Sequence, residues 1–281
     1  MKPLAIIFSL FALICISSAN TIIVDINGGG QYTSINTAII NASSNDTIKV
    51  WPGTYNEPVT LNKNVVLMGS GYENTRIIGN YNPVVTISAG TIQWFAITST
   101  GGDGIKLNAG IVKNCVIVGC GRYGILYSTG TTAAYVNNCV IYANGSYGIY
   151  HDGLSSTTGS LYAVNCISRL NAQIGFVKPS YSYGYFYVSY CNGTTSVTTG
   201  NQGNVNCDPP FNSPPLDFHI GENTSCSWNT GNPSLNDPDG SRSDMGYFGG
   251  PDCPIYPVVT EIIITPGGNT INLQAKGRAN Y

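Results

Sequence analysis

Three copies of Asn-Cys followed by a β-branched residue constrain this chain more than anything else in it: Asn114-Cys115-Val116, Asn138-Cys139-Val140 and Asn165-Cys166-Ile167. Each is followed by Gly and a large apolar residue, at Gly124-Ile125, Gly148-Ile149 and Gly175-Phe176, and Gly104-Ile105 precedes the first. The cysteines step by 24 and 27 residues (139 − 115 and 166 − 139). A period of this size marks stacked coils rather than one closed globular core.

Aligning the copies on their cysteines yields columns. The aligned position holds Phe95, Cys115, Cys139, Cys166 and Cys191. Three residues earlier stand Ile92, Val112, Val136, Ala163 and Val188, and two later stand Ile97, Ile117, Ile141, Ser168 and Gly193. Residues two apart on a strand share a face, and the apolar parity breaks just before the cysteine. A bend at Asn114, Asn138 and Asn165 explains the break, because Asn tolerates left-handed backbone angles. Each coil is then a set of short strands joined by tight bends, with like residues ~4.8 Å apart in neighbouring coils. The Asn amides are placed to bond the next copy. One such coil cannot bury its own inner face, so several are needed.

With these columns the chain resembles the right-handed parallel β-helix superfamily, whose best known members are the pectate lyases; the Asn ladder and the Gly-Ile strand starts carry the resemblance from about Val84 to Cys207. The segment from Gly30 to Glu57 looks like the opening coil and capping helix of its pectin-methylesterase-like branch, with Ile35, Ala38, Ile39 and Ala42 on one helical face. Residues 208–253 are similar to the irregular end of many secreted bacterial β-helix proteins. The resemblance implies an all-β, right-handed, single-stranded parallel β-helix with an N-terminal capping helix and an irregular C-terminal cap.

The organisation expected is a secretion signal at 1–19, a β-helix domain at 20–253 and a further stretch at 254–281. Lys2, the apolar run Ala5 to Ile16 and the small residues Ser17-Ser18-Ala19 make the signal. That run is shorter than the ~20 residues a spanning helix needs. The mature chain is therefore expected outside the cell or on its surface, without a transmembrane segment, as a monomer or as part of a longer multimodule protein. After Pro251, prolines 254, 257 and 266 punctuate a linker, and Val258 to Ile264 and Thr270 to Leu273 read as strands of a following module. Charged residues are only 9 % of the chain and net charge is −2. Nucleic acid is excluded as a partner, since phosphate binding needs clustered Lys and Arg.

Catalytic residues are sparse. Between Asn80 and Asn206 the only carboxylates are Asp103 and Asp152, in different columns and two coils apart. A glycoside hydrolase needs two within about 5 to 9.5 Å. The clustered acids of pectate lyases and the Asp and His motifs of polygalacturonases are absent, and Arg122, Arg169 and Lys178 have no acid cluster nearby. His151-Asp152 is the sharpest pair, but neighbours on a strand point to opposite faces; the pair is expected to be a loop-mouth His with a solvated Asp. His219 is expected to pack against the C-terminal coil.

The aromatic signal is stronger. Tyr181, Tyr183, Tyr185 and Tyr187 alternate, and coil phase puts Tyr135, Tyr162 and Tyr187 in one outward column below Ile111 and Thr91. Tyr135, Tyr162, Tyr183, Tyr185 and Tyr187 form a candidate sugar platform, since exposed rings bury the apolar faces of sugars. Ordinary strand filler is the competing reading. No catalytic residue is assigned. The expected role is a non-catalytic module that binds polysaccharide or cell-surface glycan, with a pectate-lyase-like enzyme and a structural stalk as alternatives.

Asp237, Asp239 and Asp244 are weak candidates for Ca²⁺, the one cofactor the sequence suggests. Leu235 sits where a first acid belongs, so a turn in which Arg242 pairs with an Asp fits better. Stacked Cys115, Cys139, Cys166 and Cys191 are expected to be inert buried thiols, because ~4.8 Å between Cβ atoms exceeds the ~3.8 Å of a disulfide. Cys120, Cys207, Cys226 and Cys253 remain, with three possible pairings, of which Cys226–Cys253 is preferred.

Overall fold

Three parallel sheets wind around one apolar interior in a computed structural model. It describes residues 19–281 apart from 129, 157, 210, 222–224, 255, 268–269 and 281, with the backbone alone over 256–280. The expected signal at 1–19 falls almost wholly outside the described residues. Among those described, no helix is long and apolar enough to cross a membrane.

The first sheet has eight strands: Thr21–Val24, Thr47–Val50, Val66–Met68, Thr91–Gln93, Gly110–Lys113, Ala134–Asn137, Ser160–Val164 and Tyr185–Ser189. The second holds Gly53–Tyr55, Thr75–Gly79, Ala96–Ser99, Val116–Val118, Val140–Tyr142 and Ile167–Arg169. The third holds Val59–Leu61, Val85–Ile87, Ile105–Leu107, Ile125–Tyr127, Ile149–His151 and Phe176–Val177. Every pair within these sheets is parallel. Successive strands along the chain fall in different sheets, so the chain is a parallel β-helix of about 7 turns.

The registers are those of the repeat alignment. Val112 pairs Val136, which pairs Ala163 and then Val188. Val116, Val140 and Ile167 line up likewise, as do Ile105, Ile125, Ile149 and Phe176. β-branched residues and Gly-Ile starts favour these strands because the branched side chain packs on a pleated face. Cys115, Cys139, Cys166 and Cys191 lie inside, fully buried and unpaired. Each thiol donates to backbone carbonyls, as Cys139 Sγ does to Val112 O at 3.7 Å. Burial pushes the Cys115 thiol up to about 12. Sealed from solvent, they pack as small hydrophobes with a weak donor.

The helix Ile35–Asn41 buries Ile35, Ala38 and Ile39 against the first coil. Ser34 caps it, with Oγ accepting from Thr37 N at 3.3 Å. Glu57 completes the start: its carboxylate accepts from Ile35 N at 2.8 Å and Asn36 N at 3.2 Å. A carboxylate on orphan N–H groups at the positive end of a helix is stabilising.

Asn114, Asn138 and Asn165 adopt φ of 43°, 50° and 55°, the left-handed bend that the broken parity requires. Their amides, however, do not climb from coil to coil. Asn114 Nδ2 donates to Tyr247 O (2.7 Å) and Gly249 O (2.9 Å). Asn138 Nδ2 donates to Asp244 O (3.2 Å), and Asn165 Nδ2 to Ser243 Oγ (2.9 Å). The coil-to-coil amide contact lies elsewhere, where Asn144 Nδ2 meets Asn171 Oδ1 at 2.8 Å.

The segment 208–253 touches both the last coil and the flank: Ser227 Oγ accepts from Asn192 Nδ2 at 2.9 Å, while other residues lie along the second sheet. Phe218, Met245, Tyr247 and Phe248 bury the outward residues Ala96, Val116, Val140 and Ile167 of the second sheet in a separate apolar cluster with Tyr72. Apolar residues on the outer face of the second sheet demand that cover, which is why the Asn ladder turns its amides toward this buttress.

The disulfide also differs from expectation. Cys207 bonds Cys226, with Cα atoms 6.5 Å apart, and Cys253 is a buried free thiol. Cys226 lies beside Asn192 in the last coil, within 3.6 Å of its amide, which brings it to Cys207. Cys253 belongs instead to the cluster under Tyr247. Among the described residues Arg242 pairs with no Asp; it donates to Gly231 O and Thr230 O. Tyr256–Gly267 and Thr270–Asn280 form one antiparallel hairpin, longer than the two short strands expected.

Candidate functional site

Tyr135, Tyr162 and Tyr187 stand side by side on the outer face of the first sheet, paired strand to strand. Their rings are 5.2 Å and 4.8 Å apart and tilted by only 15° and 6°. Strand spacing sets the distance, and offset stacking is the favoured geometry for rings so held. Their faces are turned largely toward one another, so the column offers ring edges and hydroxyls outward. Among the described residues, none bonds the three hydroxyls. Tyr135 at the head of the column is 39 % exposed.

Tyr185 extends the column sideways, 6.1 Å from Tyr187 and well exposed. Tyr183 does not share the strand face. Gly184 sits between them at φ 73°, and the strand begins only at Tyr185. Tyr181 leaves the group altogether: its hydroxyl lies 2.8 Å from that of Tyr150 on the third sheet. A left-handed glycine thus breaks the alternation that a regular strand would have kept.

Tyr150 belongs to a second aromatic group that the repeat alignment passed over. Tyr123, Tyr147 and Tyr150 stack with centroids 4.7 to 5.8 Å apart. The signal was present: Tyr123 and Tyr147 each immediately precede the Gly of a Gly-Ile pair, so they share a coil phase. Arg122 lies over Tyr123, its guanidinium carbon 4.5 Å from the ring centre. The same guanidinium clamps Asp103 through Nε (2.7 Å) and Nη2 (2.5 Å), and Asp103 is buried. Asp103 is therefore not a free acid, and Arg122 does have an acidic neighbour one coil away.

His151 corrects the loop-mouth expectation. It ends a strand of the third sheet, fully buried, between the rings of Tyr127 (4.9 Å) and Phe186 (6.0 Å). Neither ring nitrogen has a partner among the described residues. Burial holds its pKa down at about 4, so it is a neutral core residue. His219 stacks on Phe248 at 3.7 Å and meets Asp217 Oδ1 at 2.6 Å, packing within the buttress rather than against the C-terminal coil.

The three weak metal candidates build turns. Asp237 accepts from Gly250 N (2.5 Å) and Asp244 N (3.0 Å), and Asp244 accepts from Asn229 N (2.6 Å). Asp239 accepts from Ser241 N and Oγ. Burial raises the Asp244 carboxyl to about 7. Among the described residues, no group of three or more His, Cys, Asp or Glu is arranged to hold a metal ion.

No protein-family profile matches the chain, and no curated protein does. Solved structures of similar shape include pectin methylesterases. One, a point mutant in complex with a hexasaccharide, is 14 % identical with a TM-score of 0.42, over 65 % of this chain and 68 % of that one. The enzyme from Aspergillus niger is 15 % identical at 0.42, over 64 % and 67 %. The enzyme from Erwinia chrysanthemi is 15 % identical at 0.41, over 82 % and 75 %. Likeness at this level decides nothing about activity. The class is that of a parallel β-helix protein, as its own strand registers define it.

Proposed function

We propose that this chain is an extracellular, non-catalytic β-helix module that binds polysaccharide along the outer face of its first sheet. The observation that carries the reading is the in-register column Tyr135, Tyr162 and Tyr187. Its hydroxyls recur at the coil spacing and have no partner among the described residues. A periodic row of donors and acceptors suits a ligand that is itself periodic. Ring edges supply apolar contact beside each hydroxyl.

The state of the ionisable groups supports a binder over an enzyme. Asp103 is tied to Arg122 and His151 is sealed in the core. Neither is placed to move a proton to or from a sugar. Native affinity electrophoresis tests the reading. The full chain is retarded in gels containing the right polysaccharide and releases no ultraviolet-absorbing or reducing product from it. Product release from a uronate polymer would instead establish the lyase or hydrolase alternative. Neither retardation nor release would leave the stalk.

A further inference from the structure

Two of the three tryptophans of the chain line one cleft at the corner of the first sheet. Its volume is about 300 Å³, and Trp51, Met68, Trp94 and Pro254 supply apolar walls, with Lys49 and Ser70 among its polar groups. Trp51 is 44 % exposed although it is the largest kind of apolar side chain. A volume near 300 Å³ is at the small end of ligand sites, enough for a single compact ring.

Trp94 occupies the bend position that holds Asn114, Asn138 and Asn165 in the next three coils and Tyr190, at φ 52°, in the one after. Its φ is 67°, a left-handed conformation that Asn tolerates and a bulky aromatic does not favour. A Cβ on Gly69 would collide with Trp94 O, so the neighbouring coil can approach only as glycine. The indole Nε1 donates to Asp252 O at 3.0 Å, and Asp252 is itself fixed by Lys113 at 2.9 Å. What sets Trp94 apart from Tyr190 is not the bend but the cleft that its ring shares with Trp51.

We infer that this cleft is a binding site for one neutral hexopyranose ring. The ring lies against Trp51 and Trp94, and Lys49 and Ser70 hydrogen-bond its hydroxyls. Apolar ring walls with a few polar groups match the two-sided character of a pyranose, whose C–H face is apolar and whose rim carries hydroxyls. The site shares the outer side of the first sheet with the tyrosine column. It stands three strand steps, ~14 Å, from Tyr135 when measured from Met68. The inference adds a monosaccharide subsite to the proposed polysaccharide reading but rests on different residues.

Tryptophan emission of the full chain tests it, titrated with D-glucose, D-galactose, D-mannose and N-acetyl-D-glucosamine, with glycerol as control. A saturable shift is expected with at least one sugar and none with glycerol. Trp51→Ala should weaken that response at least tenfold. Trp94→Asn, which installs the residue of the later coils and so keeps the bend, should do the same while circular dichroism stays unchanged. A Tyr135→Thr/Tyr162→Thr/Tyr187→Thr variant should keep the hexose response even where it loses polymer retention. Absence of a saturable shift with all four sugars, or a shift unchanged in both Trp variants, overturns the inference. If retention on polymer persists in either of those cases, the module reading stands without this site.

Discussion

Asn114 reaches across 133 residues of sequence to donate its side-chain amide to Tyr247 O at 2.7 Å. That bond and its neighbours at Asn138 and Asn165 fasten the C-terminal buttress to the solenoid flank. The bend residues therefore carry two loads, a left-handed backbone and a buried amide. Asn114→Gly keeps the first and removes the second. It should lower stability by about 1 to 3 kcal/mol, the cost of losing two buried amide hydrogen bonds. Asn114→Ala should cost about 1 to 2 kcal/mol more, because Ala also resists a positive φ. Urea unfolding followed by circular dichroism checks the order; Ala equal to Gly would contradict it.

The thiol inventory is a second expected outcome. With Cys207 bonded to Cys226 and six other cysteines free, unfolded, unreduced mature protein should expose six thiols to a maleimide and eight after reduction. Peptide mapping should find the bridge at 207–226. A bridge at 226–253 or within the buried column would contradict the fold of the buttress. Removing the bridge with Cys207→Ser/Cys226→Ser should cost about 3 kcal/mol, the value expected for a loop of this length.

Acid should destabilise the core through His151. Its pKa is about 4 in the fold and 6.5 in an ordinary setting, so between these values the unfolded chain binds the proton and the folded one does not. Its contribution is complete above pH 6.5 and lost as pH falls toward 4. A shift of that size is worth about 3 kcal/mol. His151→Phe, between Tyr127 and Phe186, should flatten this limb of the stability curve. A curve parallel to wild type from pH 6.5 to 4 would rule out the buried neutral histidine.

Asp244 acts with the opposite sign. Burial raises its carboxyl to about 7 from 3.8, so the fold favours the protonated form. Stability from this group is greatest below pH 3.8 and declines as pH rises toward 7. Asp244→Asn keeps an oxygen for Asn229 N and removes the charge. It should stabilise the protein at pH 8 and make little difference at pH 4, as read by thermal unfolding. A variant less stable than wild type at pH 8 would show that the charge is compensated.

The coil phase was legible in the sequence because apolar parity and cysteine spacing are local properties. Ile111, Tyr135, Tyr162 and Tyr187 aligned on paper and align in the sheet. The direction of the Asn amides was not legible, since it depends on what packs over the second sheet from 78 or more residues away. Tyr181 and Tyr183 were misplaced because Gly184 breaks the strand by a backbone angle that alternation does not reveal. His151 looked like a loop residue next to Asp152, yet strand pairing of Tyr127 with His151 carries it into the core. The Tyr123, Tyr147 and Tyr150 stack and the Trp51 and Trp94 cleft were missed because each gathers residues from separate coils or bends.

The measurement that reaches the polysaccharide reading most directly is retention of the full chain on a panel of insoluble polysaccharides, beside Tyr135→Thr/Tyr162→Thr/Tyr187→Thr. Thr already occupies this column at Thr91, so the strand is kept, at a loss of about 1 to 3 kcal/mol from two stacked pairs. Wild type should be retained on at least one polymer and the folded variant at least tenfold less. Equal retention of the two, or no retention of wild type on any polymer, would contradict binding along the tyrosine column.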